Sequence, residues 1–102
     1  MKDYLIFAIF MYLVKNKKTT ALKIAQEFEI STRSVYRYID ALSLLGVPVI
    51  TKLGKGGGIE LIGEFYLENL ALPKKDKQVL FEYVNRTDVP ENIKQILNKI
   101  IF

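Results

Sequence analysis

The amino-acid sequence predicts a single domain that is mainly α-helical, with a small β-hairpin and two helices after it. Three observations lead to this prediction. Apolar residues recur at helical spacing up to residue 45 and again after residue 73. Two short β-prone runs, 47–53 and 58–63, flank the glycine-rich segment 54–58. The length of 102 residues suits one domain rather than two.

The first helix is predicted over residues 3–16. Its apolar residues form two stripes: Ile6, Ile9, Phe10 and Leu13 on one face, and Tyr4, Phe7, Met11 and Val14 on another. A helix that is apolar on two faces needs two partners. One is the rest of the domain, and the other is either the C-terminal helices or a second subunit.

The same apolar run, residues 4–14, invites comparison with a secretory leader. It is too short to cross a bilayer. Asp3 lies where a leader carries positive charge, and no small-residue cleavage motif follows the run. A buried first helix in a cytoplasmic protein is therefore expected, and a secreted or membrane-anchored protein is the disfavoured alternative.

A second helix is predicted over residues 21–28, with Thr20 as its N-cap. Its inner face is expected to carry Leu22, Ala25 and Phe28. A short turn leads to the third helix.

The third helix is expected to begin at Thr32, after the N-cap Ser31, and to end near Leu45, where Gly46 and Pro48 stop it. Three residues at helical spacing form its inner stripe: Val35, Ile39 and Leu42. Tyr38 and Leu45 are expected at the flank of that stripe.

The hairpin and the C-terminal helices complete the element order. Pro73 suits the first position of a helix reaching about Arg86, and Pro90 starts the last helix. Three helices with a tight turn between the second and third, then a hairpin, is the order of a winged helix-turn-helix. The sequence thus predicts such a domain over residues 1–63, with 64–102 as a helical extension that packs on it or dimerises.

Composition limits the chemistry that the chain can perform. The sequence contains no cysteine and no histidine, which excludes disulfides, the usual zinc sites and catalysis by either residue type. No paired carboxylates, metal-binding cluster or nucleophile with a base is visible. The expectation is a protein that is not an enzyme and has no cofactor and no metal.

The distribution of charge points to an anionic partner. The net charge is +4, and residues 1–63 hold nine Lys/Arg against five Asp/Glu, whereas residues 64–102 hold six of each. A positive field confined to one region favours nucleic acid or another anionic surface.

The start of the third helix has the pattern of a DNA-reading surface. With the inner stripe facing the core, Arg33 and Arg37 point outward one turn apart, Ser34 and Tyr36 lie at the two edges, and Thr32 is in the first turn. Arginine can form two hydrogen bonds to guanine, and hydroxyls bind bases or phosphates. Ser31, at the cap, belongs to the same predicted interface.

Ordinary structural roles remain open for the same residues. Arg37 can pair with Asp40, three residues further along the helix. Arg33 can be a solvated surface residue. Tyr38 fits the core as well as it fits an interface, whereas Tyr36 is placed toward the interface.

The glycine-rich segment 54–58 matches neither of two phosphate-binding motifs. It lacks the Lys-Ser/Thr ending of a P-loop, and a strand rather than a helix follows it. It is interpreted as a wing, with Lys52, Lys55 and Gly56 at the DNA backbone and Thr20 nearby. A solvated hairpin tip without a partner is the alternative.

The segment TTALKIAQEFEISTRSVYRYIDALSLLGVPVITKLGKGGGIEL resembles the N-terminal winged helix of DeoR-like and WYL-domain bacterial transcription regulators. The resemblance covers roughly residues 3–63, and its family motif begins Ser-x-Arg-Thr-Ile/Val-Tyr-Arg-Asp-Ile. The residues that match the motif are Ser31, Arg33, Val35, Tyr36, Arg37, Ile39, Leu42, Gly46, Val47, Pro48 and Val49. Ser34 replaces the family's threonine and Tyr38 its aspartate. A more distant resemblance is to the DNA-binding domain of biotin-operon repressors.

The resemblance implies a cytoplasmic, nucleoid-associated regulator whose partner is double-stranded operator DNA, with no membrane partner. A homodimer is also predicted, formed through the second face of the first helix, through residues 64–102, or through both. The family's effector domain has no counterpart in the sequence. The alternative function is a winged helix that binds another protein and not DNA.

Overall fold

The structure is a computed structural model of the chain, and it describes residues 2–54, 58–62 and 74–101. The helices and strands are α1 (Asp3–Asn16), β1 (Lys18–Thr19), α2 (Ala21–Phe28), α3 (Thr32–Leu44), β2 (Val49–Lys52), β3 (Gly58–Leu61), α4 (Lys74–Val84) and α5 (Glu91–Ile101). The predicted fold class, mainly α with a small hairpin and two C-terminal helices, is confirmed. No helix within the described part of the chain is both long and apolar enough to span a bilayer.

The sheet has one strand more than the sequence predicted. Its three antiparallel strands are ordered β1-β3-β2, and Thr19 of β1 pairs with Ile59 of β3. The two strands approach closely at Gly58, where an added Cβ would lie 2.5 Å from the carbonyl oxygen of Thr19. A strand of two residues shows no alternation of apolar and polar residues, so sequence periodicity could not reveal β1.

Helix α1 lies at the centre of the core. Ala8, Ile9 and Leu13 are completely buried, and the helix packs against α3 and α5. On its second predicted face, the ring of Phe7 meets the edge of the Tyr83 ring, with centroids 5.4 Å apart. Of the two partners that the sequence left open for this face, the C-terminal helices are the one seen.

One predicted position in the second helix was wrong. Leu22 was expected on the inner face of α2 but is 59% exposed. At about 100° per residue, it points away from the direction shared by Ala21, Ala25 and Phe28, which are buried. Leu45, expected at the flank of the inner stripe of α3, is largely exposed and lines a groove together with Leu42.

The end of α3 is closed by a glycine motif. Gly46 adopts a positive φ of 94°, and its N–H donates to the carbonyl oxygen of Ser43. The N–H of Val47 donates to the carbonyl oxygen of Leu42, which completes the Schellman arrangement that closes many helices. Glycine tolerates the left-handed backbone that this motif requires.

The C-terminal helices also contact the turn between α2 and α3. Glu29 follows α2 in the left-handed conformation, with φ of 55°. Its carboxylate accepts a hydrogen bond of 2.9 Å from the side-chain amide of Asn92, in the first turn of α5. The last helix therefore supports the turn that sets the direction of α3.

Candidate nucleic-acid interface

The first turn of α3 is closed by two serines. The N-cap Ser31 accepts a hydrogen bond of 3.0 Å from the backbone N–H of Ser34, as its position predicted. Its own hydroxyl donates to the hydroxyl of Ser34, also at 3.0 Å. Ser31 thus holds the turn together, and the O–H of Ser34 is left to donate elsewhere.

The inner side of α3 is anchored as predicted. Val35, Ile39 and Leu42 are buried in the core. Tyr38 is only 6% exposed, and its hydroxyl accepts a hydrogen bond of 3.0 Å from the backbone N–H of Lys2. Of the two roles that the sequence left open for Tyr38, the structure supports the one in the core.

The outer side of α3 presents its two arginines to solvent. Arg33 and Arg37 are both exposed. Arg37 does not form an ion pair with Asp40; an ion pair seen among the described residues joins Arg86 to Asp88. Residues four apart on a helix are neighbours, which places two guanidinium groups side by side on one surface.

A shallow cleft runs beside α3, between the start of α2 and the hairpin. Its volume is about 350 Å³, and four predicted interface residues line it: Thr20, Thr32, Tyr36 and Lys52. The hydroxyl of Thr20 caps α2 by accepting from the N–H of Lys23 at 3.1 Å, and its O–H can still donate. The fold thereby brings together side chains that lie up to 32 residues apart in the sequence.

The wall of the cleft opposite α3 is the base of the hairpin. Lys52 and Gly58 face each other in the register of β2 and β3, and Gly54 follows with a positive φ of 88°. Lys55 and Gly56, which were also predicted at the interface, lie outside the described residues.

Sequence reasoning missed two apolar residues of the cleft. Leu22 and Leu53 line it, and Leu53 is 87% exposed. Leu53 is the last residue of the β-prone run 47–53, so the sequence pattern did not indicate that it lies just outside strand β2. The position of Leu22 at about 100° from Ala21 was the available signal for its exposure.

Among the described residues, the two groups with a clearly shifted pKa are Arg86 and Asp88, which do not line this cleft. The Arg86 guanidinium donates two hydrogen bonds to the Asp88 carboxylate, at 2.9 and 2.6 Å. This contact lowers the pKa of the Asp88 carboxyl and raises that of Arg86. Within the described ranges, no group of three acidic, histidine or cysteine residues is placed to hold a metal ion.

Three helices around a tight turn, with a small sheet whose hairpin stands beside the outer face of the third helix, define the winged helix-turn-helix class. The family model described as an HTH domain matches residues 6–59, from α1 into β3. The chain therefore belongs to the HTH domain family.

One relative carries a name that bears on function. The chain is 33% identical over 76 residues to the uncharacterized HTH-type transcriptional regulator YobV of Bacillus subtilis (strain 168). The alignment covers 74% of this chain and 24% of that protein. The chain thus spans about a quarter of that relative's length. No solved structure matches the chain.

Proposed function

We propose that the chain binds double-stranded DNA in a sequence-specific manner, as the DNA-binding domain of a bacterial transcription regulator of the DeoR-like or WYL-domain kind. The observation that carries this proposal is the pair of arginines on the outer face of α3. Arg33 and Arg37 are exposed and have no ion-pair partner among the described residues. The relative named as a transcriptional regulator supports the same function.

In this proposal, the first turns of α3 enter the major groove. Arg33 and Arg37 are the residues that read bases, and each good pairing with guanine discriminates by about 1–3 kcal/mol. Thr32 and Tyr36 reach phosphates or base edges with their hydroxyls. Ser31 and Ser34 hold the first turn in place, and a direct contact from either is a prediction of the same proposal.

The wing is proposed to bind the DNA backbone next to the bases that α3 reads. Lys52 at its base faces the cleft. Lys55 and Gly56, in the glycine-rich segment, are proposed to reach the phosphates or the minor groove beside them. A lysine that neutralises a phosphate contributes to the affinity for every sequence, and that contribution falls as the salt concentration rises.

A homodimer, a cytoplasmic location at the nucleoid and the absence of catalysis belong to the same proposal. In a dimer, two copies of α3 would read half-sites about 34 Å apart, or a multiple of that distance. Helix α1 and residues 64–102 are the proposed contacts. Since Met11 and Val14 on the second face of α1 are buried within the chain, a contact through α1 has to use its exposed part.

One surface favours the alternative function, binding to another protein. An apolar groove of about 370 Å³ runs between α1 and the end of α3. The residues that line it are Asp3, Ile6, Phe7, Phe10, Leu42, Leu45 and Val47. Salt separates the two functions, because DNA binding depends steeply on the salt concentration and apolar docking does not.

The test is selection of bound duplexes from a random pool, followed by titration of the winner at several salt concentrations. We expect an enriched motif and a linear fall of log affinity with log salt concentration. A palindromic motif would support the dimer. Failure to enrich any motif, together with affinity that does not change with salt, would rule out the proposed function.

A further inference from the structure

The cleft beside α3 contains more exposed apolar surface than a purely phosphate-binding site needs. Leu53 is 87% exposed and Leu22 is 59% exposed, yet both line the cleft together with the ring of Tyr36. Neither leucine belongs to the hydrophobic core. Together with Tyr36, they line the space between α3 and the hairpin.

Polar side chains line the cleft as well as the two leucines and Tyr36. Thr20 and Thr32 contribute hydroxyls, and Lys52 contributes an ammonium group. A single nucleic-acid strand has the matching chemistry, because each nucleotide joins an anionic phosphate to a sugar with an apolar face. Phosphate suits the hydroxyls and the ammonium group, whereas the sugar carbons suit the leucines.

The position of the cleft indicates which part of a bound DNA duplex would lie in it. The outer face of α3 lies on one side of it and the base of the hairpin on the other. If α3 enters the major groove and the hairpin stands over the flanking backbone, the strand that separates the two grooves has to cross this cleft. The positive charge of Lys52, with Arg33 and Arg37 on the adjoining helix, complements that strand.

We propose that Leu22 and Leu53, together with the ring of Tyr36, form an apolar seat for the deoxyribose of the DNA strand that crosses the cleft. This inference rests on the proposed function. The seat adds affinity by removing apolar surface from water, so its contribution is independent of salt. It also favours deoxyribose over ribose, because a 2′-hydroxyl placed against leucine would lose its hydrogen bonds to water.

The first experiment compares three single variants by fluorescence anisotropy with the selected duplex at four salt concentrations. Leu53→Ala should weaken binding about fivefold at every salt concentration, leaving the salt slope unchanged. Lys52→Ala should weaken binding and flatten the slope by about one. Leu44→Ala is the matched control, because Leu44 is 89% exposed but lies at the opposite end of α3. It should bind like the unaltered protein.

The second experiment replaces deoxyribose by ribose, one nucleotide at a time, along the flank of the same duplex. Loss of affinity at one or two positions is expected for the unaltered protein and for Leu44→Ala. For Leu53→Ala the loss should disappear, because the contact is already missing. Circular dichroism of each variant checks that the fold is retained.

The results that would disprove the apolar seat for deoxyribose differ from those that would disprove DNA binding itself. If Leu53→Ala binds normally while Lys52→Ala binds weakly, the chain binds DNA without the seat. If Leu44→Ala is weakened as much as Leu53→Ala, the cleft has no special role. If the unaltered protein binds no duplex with a salt-dependent affinity, the proposed function itself fails.

Discussion

The three arginines of the chain differ in what surrounds them. Arg86 lies 4.9 Å from the centre of the Tyr83 ring and is paired with Asp88. Arg33 and Arg37 have no such partner within the described residues. A guanidinium group without a partner in the fold keeps all its donors for an external ligand. This contrast makes the arginines of α3 the first residues to test.

Replacing Arg33 or Arg37 by alanine should weaken binding to the selected duplex by about 1–3 kcal/mol wherever the side chain reads a base. Binding to unrelated duplexes should change less, because base contacts carry the specificity. Arg86→Ala removes the same charge outside α3 and the cleft, and should bind normally. Unchanged affinity in both α3 variants would show that this face does not read DNA.

The ion pair of Asp88 leads to a prediction about how the stability of the fold depends on pH. Its pKa is lowered in the folded protein by the hydrogen bonds from Arg86. A carboxyl group whose pKa is lowered by folding stabilises the folded protein at pH values above its pKa in the unfolded chain, which is about 3.9 for aspartate. This stabilisation is lost as the pH falls through the pKa of the group in the folded protein. Asp88→Asn should therefore be less stable than the unaltered protein at pH 7, by a small amount because the pair is exposed. The difference in urea midpoints should shrink as the pH falls below about 3.9; a constant difference would contradict this.

The elements of the interface depend on contacts between distant parts of the chain. The hairpin is held to the helices because β1, directly after α1, pairs with β3. The turn between α2 and α3 is held by α5 through Asn92 and Glu29. The spacing between α3 and the wing is therefore a property of the sheet and the helical core together.

At Gly58 the sheet leaves no room for a side chain. A methyl group there would meet the carbonyl oxygen of Thr19 at 2.5 Å, and a backbone atom cannot easily move aside. Gly58→Ala should lower the free energy of unfolding by about 1–3 kcal/mol, measured by urea denaturation. Thr51→Val, at an exposed position of β2, should change it by no more than about 0.5 kcal/mol. Equal stability of the two variants would mean that β1 is not closely paired with β3.

Among the described residues, one cluster of buried side chains extends from Leu5 in α1 to Ile100 in α5. Ile9 of α1, Ile24 of α2 and Leu97 of α5 belong to it and are completely buried. The net charge has a different distribution, since the excess of Lys and Arg lies within residues 1–63. The extension 64–102 thus contributes packing through α5, while the positive field comes from the rest of the chain. A boundary between two folding units at residues 63 and 64 stays a prediction.

Leu97→Ala tests how far the extension shares the stability of the molecule. Removal of this completely buried side chain should lower the free energy of unfolding by about 2–5 kcal/mol. Unfolding should remain a single transition by fluorescence and by circular dichroism. Gln95→Ala, on the exposed side of α5, is the control. Two separate transitions would instead show that residues 1–63 fold by themselves.

The sequence by itself determined the helices, their caps and the outward face of α3. The stripe of Val35, Ile39 and Leu42 and the caps Thr20 and Ser31 depend on neighbours within one or two turns, and all five positions are confirmed. Local spacing is sufficient for such features because a helix repeats every 3.6 residues whatever it packs against.

Only the tertiary structure decided which side chains meet across elements. The strand β1 and the cleft that joins Thr32 to Lys52 follow from the way the hairpin lies against α2 and α3. Periodicity within one element contains no information about the distance to another, because that distance is set by packing between residues far apart in the chain.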